Sequence, residues 1–299
     1  DSPIRPPVRK RPKSRHHGLD FLRFVAIMLV FGRHMLYGLP DGLITRPLFE
    51  AWVRGGWIGV DLFFVLSGFL ISGLLFTEYK RDRKISMGRF FVRRGWRIYP
   101  PFLVLIAFTV IHNKIIHAGG HTRYIYSELT FMQSYFMGLW WHTWSLSVEE
   151  HFYVLLPVAI LVTLAARKKS DHPLDSFPWF LLALAIITLI VRTVHARLVP
   201  FVPQTHAFPS YLRMDSLGFG VAIAYYYNFH HERFVALLTP YRRWLVIGGT
   251  ALLVPNFILE LGVSTYLHTL GFTVKYIACG MVMVGILLSD FSRNRWIVP

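Results

Sequence analysis

The chain has 299 residues, of which 54% are hydrophobic and only 16% charged, and its mean hydropathy is +0.44. One soluble core cannot hold that much apolar surface, so a soluble globular domain is excluded and an integral membrane protein is indicated. The net charge of +16 and the pI near 10.2 would suggest nucleic acid in a soluble protein; here the cations flank apolar runs, and no nucleic-acid partner is expected.

In chain order, the first segment is Asp1–His17, with four prolines and many basic residues. It reads as a disordered cytoplasmic arm lying near anionic lipid headgroups. Residue 1 is Asp rather than Met, so a native start is not expected there, and no signal peptide precedes the first apolar run. Apolar runs then follow one another, each near the roughly 20 residues that a helix needs to cross about 30 Å of hydrocarbon. They predict eight spans, near Asp20–Leu39, Gly56–Phe76, Ile98–Ile116, Thr143–Ala165, Phe177–Val194, Pro209–Tyr227, Trp244–Leu261 and His268–Ser289. The fold class is therefore all-α, a polytopic transmembrane helix bundle. The aromatic stretch Tyr124–Trp141 lacks a clean apolar run and reads as re-entrant or interfacial.

Charge orders these spans across the bilayer. With the N-terminus inside, the inner segments hold the basic residues from Arg5 to Arg23, the run from Lys80 to Arg97, then Arg167, Lys168, Lys169, Arg233, Arg242, Arg243, Arg293 and Arg295. The outer loops hold only Arg46, Arg54, Lys114, Arg123, Arg192 and Arg197. The positive-inside rule then places both ends of the chain in the cytoplasm. Cys279 falls in the last run, which leaves no disulfide framework and no thiolate metal site, and packing is its expected role. Histidines 112, 117, 121, 230 and 231 are expected in loops, without metal-binding spacing.

Ionisable groups inside spans are expensive and count by default as functional candidates. Arg23 and His34 in the first span are close to three helical turns apart, so they share a face, separated by about 16 Å along the axis. Arg23 is either a functional cation or a snorkelling residue at the inner edge; His34 is a catalytic imidazole or one satisfied by a neighbouring helix. The fourth span enters through Trp144-Ser145-Leu146-Ser147-Val148-Glu149-Glu150-x-Phe152-Tyr153. Counting residues puts Glu149 about 10 Å below the outer boundary, at the depth assigned to His34. A carboxylate beside an imidazole suits a general base and its orienting partner; alternatively Glu149 and Glu150 cap the entry. Arg93, Arg94 and Arg97 precede the third span, and guanidinium forks there suit a phosphate-bearing ligand, although a stop-transfer cluster would look similar. Asp61 in the second span either orients His34 or a substrate or, as is expected, pairs with a nearby Arg, and Arg213 and Asp215 in the sixth are expected to neutralise each other. The small residues Gly55, Gly59, Gly68 and Ser72 fit close helix packing.

Arg23-x10-His34, the Phe63–Phe69 run, Arg93-Arg94-x-x-Arg97-Ile98-Tyr99-Pro100, the Trp144–Tyr153 motif and Arg213-x-Asp215-x4-Gly220 occur in this order. Together they resemble acyltransferase family 3 over nearly all of residues 18–299, which is read as one transmembrane domain. The resemblance implies about ten helices and transfer of an acyl group, usually acetyl, from cytoplasmic acyl-CoA to a hydroxyl of a carbohydrate or lipid-linked glycan of the cell envelope. It implies that His34 is catalytic with Arg23 as its partner and Glu149 as the acidic position, and that Arg93, Arg94 and Arg97 face the CoA. Asp61, Glu150, Arg213 and Asp215 are secondary candidates, and no metal is implied. Trp296–Pro299 ends where that family continues into two more helices, so a bundle truncated at its C-terminus is expected. The alternative class is a secondary transporter using intramembrane His, Glu, Arg and Asp as a proton relay; no repeat between the halves of the chain supports it. A second rival, a membrane acyltransferase built on an Asn and His pair, is opposed by the placement of Asn113, Asn228, Asn256 and Asn294. Hydrolase-type motifs such as Gly-x-Ser-x-Gly are absent from the sequence.

Overall fold

A computed structural model describes residues 16–35, 46–116, 122–262 and 264–289. Most of the basic arm, His117, His121, Arg293, Arg295 and the terminal Trp296–Pro299 lie outside the described residues, which are helical and contain no strand. In order they form α1 (His17–His34), α2 (Arg46–Asp82), α3 (Met87–Ile115), α4 (Thr122–Leu129), α5 (Trp144–Ala166) and α6 (Phe177–Leu198). There follow α7 (Pro203–His206), α8 (Met214–Phe229), α9 (His231–Leu238), α10 (Arg242–Leu253), α11 (Pro255–Ile258), α12 (Thr265–His268) and α13 (Leu270–Leu287).

Each predicted span overlaps a helix, with Trp244–Leu261 divided between α10 and α11, but among the described residues only five segments are long and apolar enough to cross a membrane by length and composition. These are Arg46–Asp82, Met87–Ile115, Trp141–Ala166, Pro173–Leu198 and Leu270–Leu287. The count of eight is therefore not met by that measure. α1 is as long as α13 but carries three charges, Asp20, Arg23 and Arg33. α8 has 16 residues and starts only after a 3-10 turn at Ser210–Leu212. α10 stops after 12 residues, and the chain restarts at Pro255, which fits a helix N-terminus because it has no N–H to donate.

α2 is the central helix. Its Phe64, Val65, Leu66, Leu75 and Phe76 are buried against α1, α5, α8 and α13. The crossing with α8 is close enough to require glycine on both sides. A Cβ on Gly220 would sit 2.8 Å from the backbone nitrogen of Phe69, and one on Gly68 would run into the Leu217 carbonyl. Such small-residue contacts are how helices approach when lipid gives no hydrophobic drive to associate. α3 and α6 lie outside this core and turn Leu103, Val104, Phe108, Ile111, Ile186, Ile187 and Ile190 outward, as lipid-facing helices do.

Between α4 and α5 the chain turns back into the bundle. Glu128 is fully buried and accepts hydrogen bonds from Thr143 Oγ1 at 2.7 Å and the Trp140 amide at 3.3 Å. Burial raises its carboxyl pKa above the usual range, against the opposing effect of those two donors. Phe131 reaches the level of Ser147, whose hydroxyl donates to the Phe131 carbonyl, and its ring packs on Tyr99 and Phe102. Its φ of 55° is a left-handed conformation that aromatic residues rarely adopt. His112, expected in a loop, lies within α3, and Cys279 is free and buried.

Candidate active site

The end where α2 finishes and α3 begins is rich in arginine, and the opposite end holds His34 and the Trp140–Trp144 turn. At the arginine end a cleft of about 240 Å³ is lined by Arg81, Arg89, Arg93, Arg94 and Arg97, with Glu78 as the one carboxylate among the described residues there. Arg89, Arg93 and Arg97 follow at i, i+4 spacing and so project from one face of α3. Glu78 is already engaged by the Ser86 amide at 3.1 Å, and Arg81 is forked onto Asp82. The remaining guanidinium groups form a cationic wall of the kind that grips phosphate oxygens.

Arg94 turns the other way, into the bundle. Its guanidinium lies 3.0 Å above the Tyr153 ring, 3.7 Å from Glu149 Oε2 and 3.8 Å from Glu150 Oε1. Glu149 also accepts hydrogen bonds from the Tyr153 hydroxyl and from Ser67 Oγ at 3.3 Å, and Tyr99 donates to Glu150 at 3.4 Å. Arg94 therefore joins the cleft wall to two carboxylates in the interior. Within this cluster Arg94 Nε and Glu150 Oε1 are buried without a hydrogen-bond partner among the described residues.

His34 is the last residue of α1 and is exposed. Its ring meets the edge of His142 at 5.5 Å, and Trp140 lies 5.8 Å beyond on the other side of that ring. The Trp52 indole covers Gly32 on the same turn and donates to the Met28 carbonyl at 2.9 Å. The structure does not bring His34 and Glu149 together. Helix α1 ends at His34, which puts the imidazole at the mouth rather than within the outer third of a span. Glu149 lies seven residues beyond His142, about 10 Å deeper by helical rise. Arg23, on the same face of α1 as His34, is bound to Asp20 at 2.7 Å.

Asp61, Arg213 and Asp215 lie in a separate buried network with different pairings from those expected. Arg213 Nη2 donates to Asp61 Oδ1 at 2.8 Å, and Ser216 Oγ donates to the same oxygen at 3.0 Å. Asp215 instead accepts from Arg192 at 2.5 Å, so Arg213 and Asp215 do not neutralise each other. Arg192, counted with the outer loops on sequence, is inside α6 and 1% exposed. Lys275 on α13 completes the group, 3.7 Å from Asp61 Oδ2. The intramembrane-charge rule that flagged Asp61 applied equally to Lys275, which lies in an apolar run. A polar ladder was also missed: Ser147 Oγ meets Ser134 Oγ at 2.9 Å, Ser134 meets Ser210 at 3.1 Å, and Ser210 meets His151 Nδ1 at 2.7 Å. Among the described residues no group of three or more His, Cys, Asp or Glu could hold a metal ion.

The family described as an acyltransferase domain, acyltransferase family 3, matches residues 16–298. The chain belongs to acyltransferase family 3. Among curated proteins it is similar to the peptidoglycan O-acetyltransferase OatA of Listeria monocytogenes, 27% identical over 71% of this chain and 34% of the relative. It is also similar to the O-acetyltransferase OatA of Staphylococcus aureus strain NCTC 8325, 32% identical over 58% of this chain and 29% of the relative. The chain thus spans about a third of the length of the curated relatives it matches. No solved structure matches. Family membership favours acyl transfer over the transporter alternative.

Proposed function

We propose that this chain carries the membrane-embedded chemistry of an O-acetyltransferase. Acetyl-CoA enters from the cytoplasm at the arginine end, and the acceptor, a hydroxyl of a cell-envelope glycan, arrives at the opposite end. The observation that carries the reading is the five-arginine cleft joined through Arg94 to Glu149 and Glu150. The phosphates of CoA rest on Arg89, Arg93 and Arg97, while the long pantetheine arm directs the thioester into the bundle. Arg23 steadies the donor along α1, and Glu149 holds Arg94 at the head of the cleft. At the far mouth His34 takes the acceptor's proton as its oxygen attacks the thioester carbonyl. The carbonyl becomes a tetrahedral oxyanion, then collapses and releases the CoA thiolate. Peptidoglycan, which the name of the Listeria relative states for that protein, is the first acceptor to try; labelling envelope glycans from radiolabelled acetyl-CoA tests the assignment directly.

Donor binding has its own test. Arg93→Lys and Arg97→Lys keep the charge and lose the bidentate fork, and each is expected to weaken acetyl-CoA binding by about tenfold, equivalent to about 1.4 kcal/mol. Equilibrium binding to the membrane-inserted protein measures this, and unaltered affinity in both variants would reduce the cluster to a topology signal.

Orientation is tested separately. Cysteines at positions 168 and 242 are expected to resist an impermeant thiol reagent in intact cells, while cysteines at 46 and 123 react. Labelling of position 168 from outside would reverse the proposed sides.

A further inference from the structure

At the end of the bundle opposite the arginine cleft, a cavity of about 470 Å³ lies against α1, α2, α11 and α13, within the size range of small-molecule sites. Among the described residues its wall holds the cations Arg33, Arg46, Arg54 and Lys275 and the carboxylates Glu50 and Glu260. Glu50 is shared between Arg46 at 3.1 Å and Arg54 at 2.9 Å.

Lys275 is 1% exposed, and its Nζ has no hydrogen-bond partner among the described residues. Its nearest carboxylate oxygen, Asp61 Oδ2, is 3.7 Å away. The other oxygen of Asp61 is taken by Arg213 and Ser216. The network around Lys275 therefore sets three buried cations, Arg192, Arg213 and Lys275, against two carboxylates, Asp61 and Asp215. An uncompensated positive charge in such surroundings is expensive to hold. Lys275 is also one of the residues that line the cavity.

We infer that this cavity is the acceptor subsite and selects a glycan bearing a carboxylate, which meets Lys275. Arg33, a cavity residue, precedes His34 at the C-terminal end of α1, so the cavity and the proposed base lie at the same end of that helix. The inference rests on the acetyltransferase reading but makes a separate claim about charge.

The test uses the full chain in phosphatidylcholine nanodiscs, with trigalacturonate and its methyl ester as probes and calorimetry as the readout. The acid is expected to bind at least about tenfold more tightly than the ester, the scale of one retained ion pair of about 1.4 kcal/mol. Lys275→Met is expected to bring the acid–ester ratio close to one while acetyl-CoA binding persists. Should that variant fail to fold, Arg54→Gln at the mouth is expected to lower the ratio severalfold and leave ester affinity unchanged. Equal affinity for acid and ester, no binding of either, or an undiminished ratio in Lys275→Met (or, if that variant cannot be made, in Arg54→Gln) would overturn the proposal. So would displacement of trigalacturonate by phosphatidylglycerol added to the nanodisc, which would mark a lipid-headgroup site. Acetyl-CoA binding by the parent protein is measured alongside: its loss would sink the donor reading, whereas the acid–ester ratio alone decides this one.

Discussion

His34→Ala is expected to lower the rate of acyl transfer by about 10²–10⁴-fold, the usual contribution of a positioned general base. Acetyl-CoA affinity should be nearly unchanged, because the donor phosphates sit at the other end of the bundle, beside Arg89, Arg93 and Arg97. The loss should fall on turnover. His34 makes no hydrogen bond to Glu149, whose partners are Tyr153, Ser67 and Arg94. Glu149→Gln is therefore expected to act through Arg94 and the donor side, and not as a second member of a His–Glu pair. Turnover and donor affinity measured for both variants separate these roles. A His34→Ala enzyme of normal rate would show that the imidazole only packs against His142.

Asp61→Asn is expected to be the most destabilising single change in the bundle. It leaves Arg192, Arg213 and Lys275 buried with Asp215 as the remaining carboxylate of the network. Removing one partner of a buried ion pair costs about 3–5 kcal/mol, because the other charge stays behind unpaired. Arg213→Gln alone should be damaging for the same reason, and the double variant Asp61→Asn/Arg213→Gln should lose less than the sum of the two. Unfolding free energies of the four proteins in mixed micelles, titrated with denaturing detergent, give the coupling directly. Additive losses would mean that the 2.8 Å contact contributes nothing of its own.

Much of this molecule was legible from local sequence because the bilayer applies a simple rule along the chain. Backbone groups in hydrocarbon must bond within their own segment, so apolar runs become helices; the runs at α5, α6 and α13 were located to within a few residues, whereas α2 and α3 start well before the runs predicted at Gly56 and Ile98. The pairing of Arg93 with Arg97 at the head of α3 was equally visible, since i, i+4 spacing alone puts them on one face; that Arg89 lines the same cleft and that Arg94 turns inward to Glu149 and Glu150 was not. Counting also placed Arg23 and His34 on a common face of α1.

Depth and partnership were different matters. The depth of His34 depends on where α1 stops and how it leans on α2 and α5, and those are set by contacts such as Trp52 over Gly32 and His34 against His142. Pairing among buried charges depends on which helices touch. Asp61 meets Arg213 across 152 positions of sequence, and Arg192 meets Asp215 across 23, because α8 crosses α2 at Gly68 and Gly220 while α6 packs on its other side. A charge in an apolar run announces from sequence that it needs a partner. Only the packed bundle decides which one, since the low-dielectric interior makes every buried charge bind whatever counter-charge the helix crossings bring within a few ångströms.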